Sequence, residues 1–195
     1  MHHPLESLRR SLMDRTIYPL AGLSLLLLVL LNLLGQPLIT STSPYGIVSF
    51  ELAHNPDQAT AILASWDPTT KLRAAFSLGL DFLFIPLYSL TLTITCLWAA
   101  RFRREKRRFP SWLVMIGMPG IPLAWGQLGA GVLDIFENLA LVRMLLGAVS
   151  APWPQFASVC AYTKFTLIAA GILYSLTAFG AYTIAAVFHR RSAGI

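Results

Sequence analysis

Charge is what this sequence has least of. Asp, Glu, Lys and Arg make up 12% of its 195 residues and the mean hydropathy is +0.62, whereas a soluble domain is typically about 25% charged. A water-surrounded globular domain is therefore excluded. Cysteine is scarce as well. Cys96 and Cys160 are the whole supply, they fall on different apolar runs, and no Cys-x-x-Cys spacing exists, so neither a disulfide framework nor a thiolate zinc site is expected. The chain also lacks a Gly-x-Ser-x-Gly elbow, a P-loop, His-Glu-x-x-His, a Rossmann fingerprint and a pair of histidines on facing spans. Nothing in it specifies acyl, phosphoryl or hydride transfer, and the identity of any cofactor stays open.

What is present is apolar sequence in four long runs, at about 16–34, 74–100, 111–147 and 156–188. Each is near or above the roughly 20 residues that cross a hydrocarbon core. The pattern predicts an all-α fold, an integral membrane four-helix bundle that forms one transmembrane domain over residues 1–195. The third run is too long for one crossing, and Met118-Pro119-Gly120-Ile121-Pro122 predicts a break at 118–122. A kink is expected at Pro86 in the second run.

The net charge is +6, but its placement argues against a nucleic-acid partner. Arg9, Arg10 and Arg15, six residues in Arg101–Arg108, and Arg190–Arg191 all flank apolar runs, the pattern that fixes membrane orientation. Membrane lipids are the expected partners of these residues. Both termini are expected in the cytoplasm, with the 35–73 connection and the 147–156 turn outside, in a cell (inner) membrane. Leu5, Leu8 and Leu12 recur at helical spacing and predict a short interfacial helix. The basic start and apolar first run also describe a secretory signal, but no Ala-x-Ala site follows, so the span is expected to be retained.

The long connection opens with Gly35, Pro37, Pro44 and Gly46 and closes at Asp67-Pro68. Between them, apolar residues at helical intervals with a break at Asn55-Pro56 predict one or two short amphipathic helices. Phe50, Leu52, Ile62, Leu63 and Trp66 are the residues these helices need to bury.

The stretch that demands explanation is Gly126–Arg143, an apolar helix carrying Asp134, Glu137 and Asn138. Asp at the centre of a lipid-facing helix costs about 3 kcal/mol even on the lenient insertion scale. These side chains, together with Asp81 on the second run, must face the bundle interior, a cavity or the interface. Lys164 and Arg143 are the basic partners within reach, and pairing with them alone would make the cluster structural. Gly126-x-x-x-Ala130 predicts a close helix crossing on the same face.

Three functional readings follow. The first is an outward-facing pocket for a lipid or other hydrophobic small molecule, its polar end formed by Asp81, Tyr88, Asp134, Glu137, Asn138, Lys164 and Glu51, with Tyr162 and Tyr174 as further hydrogen-bond partners. Asp81, Asp134 and Glu137 are the candidates for acid–base chemistry there, because adjacent carboxyls push one another's pKa apart. The second is a metal site using Glu51, His54, Asp134 and Glu137, which resembles half of a four-helix carboxylate site. The third is an accessory or scaffold subunit of a membrane complex, with small and aromatic residues facing partners or a second copy in a homo-oligomer.

The segments Ser49–Ala53 (SFELA), Asp81–Phe84 (DFLF) and Leu133–Asn138 (LDIFEN) resemble those of uncharacterised bacterial four-span membrane proteins. The resemblance implies the four-span layout and supplies no activity.

Overall fold

The computed structural model describes residues 4–104 and 110–192, with side chains placed at 15–102 and 110–185. All regular structure among the described residues is helical. Three long helices, α1 (Pro4–Gly35, followed directly by the 3-10 turn Gln36–Leu38), α4 (Pro68–Arg104) and α7 (Trp153–Ser192), carry the stretches long and apolar enough to cross a membrane, Arg15–Leu38, Pro68–Phe102 and Trp153–Ala185. α1 runs unbroken from Pro4 through Pro19, so the interfacial helix expected before Thr16 is continuous with the first span. The side chains of Leu5, Leu8, Arg9, Arg10 and Leu12, most of the Arg101–Arg108 run and His189–Arg191 lie outside the described residues. α4 passes through Pro86 without interruption.

The long third run divides into α5 (Ser111–Ile116) and α6 (Gly120–Leu145), separated at Gly117–Pro119. Pro122 falls in the first turn of α6, where a missing backbone N–H leaves no ladder bond unmade. α6 is packed between α4 and α7, whereas α1 leans chiefly on α4. The packing depends on glycine at three places. A Cβ at Gly120 would lie 2.8 Å from Ala100 Cβ, one at Gly131 would lie 3.1 Å from Ser89 Cβ, and one at Gly171 would collide with the Gln127 amide. Gly126 is not among them: its nearest neighbour would be Leu167 at an ordinary 3.4 Å. The close crossing expected at Gly126-x-x-x-Ala130 is displaced onto the neighbouring face of α6.

Two short helices occupy the long connection, α2 (Ile47–Glu51) and α3 (Pro56–Ser65). Gly46 turns the chain into α2 at φ +59°, a conformation that favours glycine. Asn55 caps α3 by accepting the Gln58 N–H at 2.8 Å, with Pro56 at the first helical position. Asp67 does the same for α4, accepting the Thr70 N–H at 2.6 Å. Trp66 anchors the connection. Its indole N–H donates to the Leu38 carbonyl at 3.0 Å, and its ring meets Phe50 edge-on at 5.5 Å. Phe50, Ile62 and Trp66 join Leu78, Leu141 and Met144 in one apolar core, while Phe102, Leu113 and Ala178 form a second core at the other end of the bundle. The polar residues of α6 lie between the two.

Candidate functional site

Asp134, Glu137 and Asn138 stand at helical positions i, i+3 and i+4, which places them on adjoining sides of one α6 surface. Asp81 and Tyr88 stand seven residues apart on α4 and share a face for the same reason. The two helices meet there through two rungs. Asn138 Nδ2 donates to Asp81 Oδ2 at 2.6 Å, and the Tyr88 hydroxyl donates to Asp134 Oδ2 at 2.8 Å. From the other side, α7 sends in Lys164, whose Nζ lies 2.6 Å from Asp134 Oδ1 and 2.9 Å from Glu137 Oε1. α2 adds Glu51, with Oε2 3.7 Å from the same nitrogen.

The cluster is dry. Asn138 and Glu137 are 0% exposed, Asp134 3% and Lys164 4%. A lone charge in such a place costs several kcal/mol, and pairing with full hydrogen bonding offsets that cost. Here the offset is incomplete. Glu51 Oε2, Glu137 Oε2 and Asn138 Oδ1 are buried without a hydrogen-bond partner. Burial pushes the Glu51 carboxyl above its ordinary range; the Lys164 ammonium opposes the shift and the Asp134 carboxylate reinforces it.

Beside the cluster lies a cavity of about 620 Å³, within the roughly 300–1,000 Å³ of small-molecule sites. Its walls are apolar, from Leu25 and Leu28 on α1, Phe84 on α4, and Ile168 and Ile172 on α7. Glu51, Asp81, Tyr88, Asp134 and Lys164 line it as well. Glu137 and Asn138 stand behind this polar wall and hold it: Glu137 fixes Lys164, and Asn138 fixes Asp81.

Comparison with known proteins returns no match: no family model, no curated protein and no solved structure is significantly similar to this chain. The site is therefore read from its own chemistry.

All seven residues of the expected polar end, Glu51, Asp81, Tyr88, Asp134, Glu137, Asn138 and Lys164, come together, with the Lys164 ammonium facing Glu51, Asp134 and Glu137. Other expected participants do not join them. Arg143 stacks over the Trp153 ring at 4.5 Å instead of pairing with the carboxylates. Tyr162 is 59% exposed. Tyr174 sits against the start of α6, where a Cβ on Gly120 would touch its hydroxyl. His54 is exposed at the end of α2, its backbone N–H donating to Gln58 Oε1. Among the described residues, no three His, Cys, Asp or Glu side chains are grouped to hold a metal ion, and Glu51, Asp134 and Glu137 turn toward Lys164.

Two participants were not foreseen from the sequence. α1 supplies a whole wall of the cavity. Gln127, 0% exposed, ties α6 to α7 by donating to the Leu167 carbonyl at 2.7 Å. Its signal was an amide in an apolar run, two turns before Asp134; it faces Gly171 on α7, where there is no side chain to displace it.

Proposed function

We propose that this chain is an integral membrane protein of four crossings, with α6 as the fourth, and that its cavity holds a lipid or another hydrophobic small molecule. α6 has 26 residues, enough for the roughly 20 that a crossing needs. Its polar side chains are turned toward α4 and α7, which removes the cost of exposing them to acyl chains. The positive-inside distribution supports placing the 105–109 segment on the cytoplasmic side of a cell membrane and the α2–α3 connection outside. Labelling of cysteines introduced at Ser65 and Ser111 tests this: Ser65 should react from outside and Ser111 should not, and the reverse pattern overturns the orientation.

The observation that carries the binding function is one cavity with apolar walls and a polar wall of five side chains held from behind by Glu137 and Asn138. A junction that only locks helices together needs no such space beside it, whereas a binding site does. In this reading the apolar part of the ligand lies along α1 and α7 and its polar group meets Asp81 and Glu51. Any proton exchange with the ligand falls to those carboxyls, since Asp134 is already engaged by Lys164 and Tyr88.

Native mass spectrometry of detergent-purified protein is the test. The wild type should carry a bound hydrophobic molecule at one per chain, and Asp81→Asn should lose it while remaining folded. A wild type free of any bound molecule, in detergent and after reconstitution with total membrane lipid, contradicts the reading.

A further inference from the structure

The hydrogen-bond valences of the polar wall are unevenly used. The donors of Tyr88, Asn138 and Lys164 are engaged: Tyr88 by Asp134, Asn138 Nδ2 by Asp81, and Lys164 by Asp134 and Glu137 with Glu51 at 3.7 Å. The Ser77 hydroxyl, which also lines the cavity one turn before Asp81, can donate or accept, and the unfilled valences of the charged residues belong to acceptors. Glu51 is 8% exposed, lines the cavity, and leaves Oε2 without a hydrogen-bond partner. Asp81 also lines the cavity and has one oxygen, Oδ2, taken by Asn138. The formal charges run the same way. Three carboxyl groups, Glu51, Asp134 and Glu137, face the one ammonium, and a fourth, Asp81, stands beside them on Asn138 without a cation of its own. A buried carboxyl in such surplus favours an incoming cation and a hydrogen-bond donor, and it repels an anion.

We infer that the ligand of this cavity is a hydrophobic amine: an apolar chain of membrane-lipid size ending in a protonated primary or secondary amine that donates to Glu51 and Asp81. This inference rests on the binding function proposed above and narrows it to one headgroup chemistry. An alcohol of the same shape brings a donor without charge and satisfies half of the requirement. A carboxylate of the same shape brings only further acceptors.

The experiment compares three probes of one chain length, dodecylamine, dodecanol and dodecanoic acid, added to the full-length protein in detergent and read by native mass spectrometry and by the shift in thermal unfolding. Dodecylamine should bind at least tenfold more tightly than dodecanol, and dodecanoic acid should not bind. Asp81→Asn combined with Glu51→Gln should remove the preference, so that amine and alcohol bind that variant within about twofold of each other. An alcohol or acid that equals or exceeds the amine overturns the headgroup assignment. If no probe binds but a neutral or anionic lipid is found at one per chain in the purified protein, the assignment fails and the binding function stands. If nothing binds and nothing co-purifies, both fail.

Discussion

α1 and α6 invert the usual relation between composition and position. α1 is leucine-rich, yet Leu25, Leu26 and Leu33 are more than half exposed. α6 carries two carboxylates and two amides, yet Gln127, Glu137 and Asn138 are 0% exposed. In water the apolar helix would be inside and the polar one outside. The inversion shows which medium the surface is adapted to. It also shows what the polar helix is for: α6 is the element whose side chains pair with those of α4 and α7, while α1 contributes a wall and little else.

The comparison breaks most sharply at Lys164. Lys164→Met would leave Asp134 and Glu137 buried without their cation, a loss of about 3–5 kcal/mol for a broken buried pair. Thermal unfolding in detergent should show it as a large fall in Tm or as failure to purify. Adding Asp134→Asn and Glu137→Gln to that variant should restore much of the stability, because the uncompensated charge is gone. No recovery would mean that the cluster stabilises through packing alone.

Next come the close approaches around α6. Gly120→Val meets the Cys96 carbonyl, which a Cβ would approach to 2.7 Å, and should cost about 1–3 kcal/mol by overpacking. Gly129→Val is the control, since nothing lies within 4 Å of a Cβ there. Equal effects at the two sites would deny α6 its central place.

Two carboxyls outside the spans sharpen the comparison through pH. Asp67 is held below its ordinary range by the hydrogen bonds from Thr70, so its contribution is present above the ordinary carboxyl range and is lost as pH falls through its folded-state value. Glu51 is pushed up by burial, so its contribution is present in acid and is lost as pH rises through its folded-state value. Asp67→Ala should therefore lower Tm near neutrality and lose its effect in acid. Glu51→Gln should flatten the dependence on the alkaline side. Following Tm across pH for both variants checks the opposite signs.

The smallest effect belongs to α1. Leu26→Ala removes a side chain that is 54% exposed and should change stability in detergent by no more than about 0.5 kcal/mol, as for surface positions generally. A loss of several times that would place α1 in the core.

How much of this was legible in the sequence follows from what side chains can signal. Helical character, the break near Pro119 and the Asn55-Pro56 helix start are local, and turn residues announce them. The gathering of Asp81, Asp134, Glu137 and Lys164 was legible because charge inside apolar runs has few affordable places. The roles of Arg143, Tyr162 and Tyr174 were not, because an aromatic or basic residue near a helix end satisfies its needs equally well at an interface, on a neighbouring ring or in solvent. The displaced close approach has a similar cause. Gly126, Gly129 and Gly131 crowd one turn and a half of α6, and the choice among them depends on Ser89 of α4, which the α6 sequence does not contain. The wall formed by α1 was illegible for the plainest reason: a leucine facing a ligand and a leucine facing lipid look the same.

In the function proposed above, the charged junction of α4, α6 and α7 walls a cavity occupied by a hydrophobic molecule. A density map of the protein in lipid nanodiscs tests it most directly. The account predicts continuous elongated density between α1 and α7, its polar end within hydrogen-bond distance of Asp81 and Glu51. A cavity closed by α1 collapsing onto α7, or filled only by separate water peaks, would contradict it.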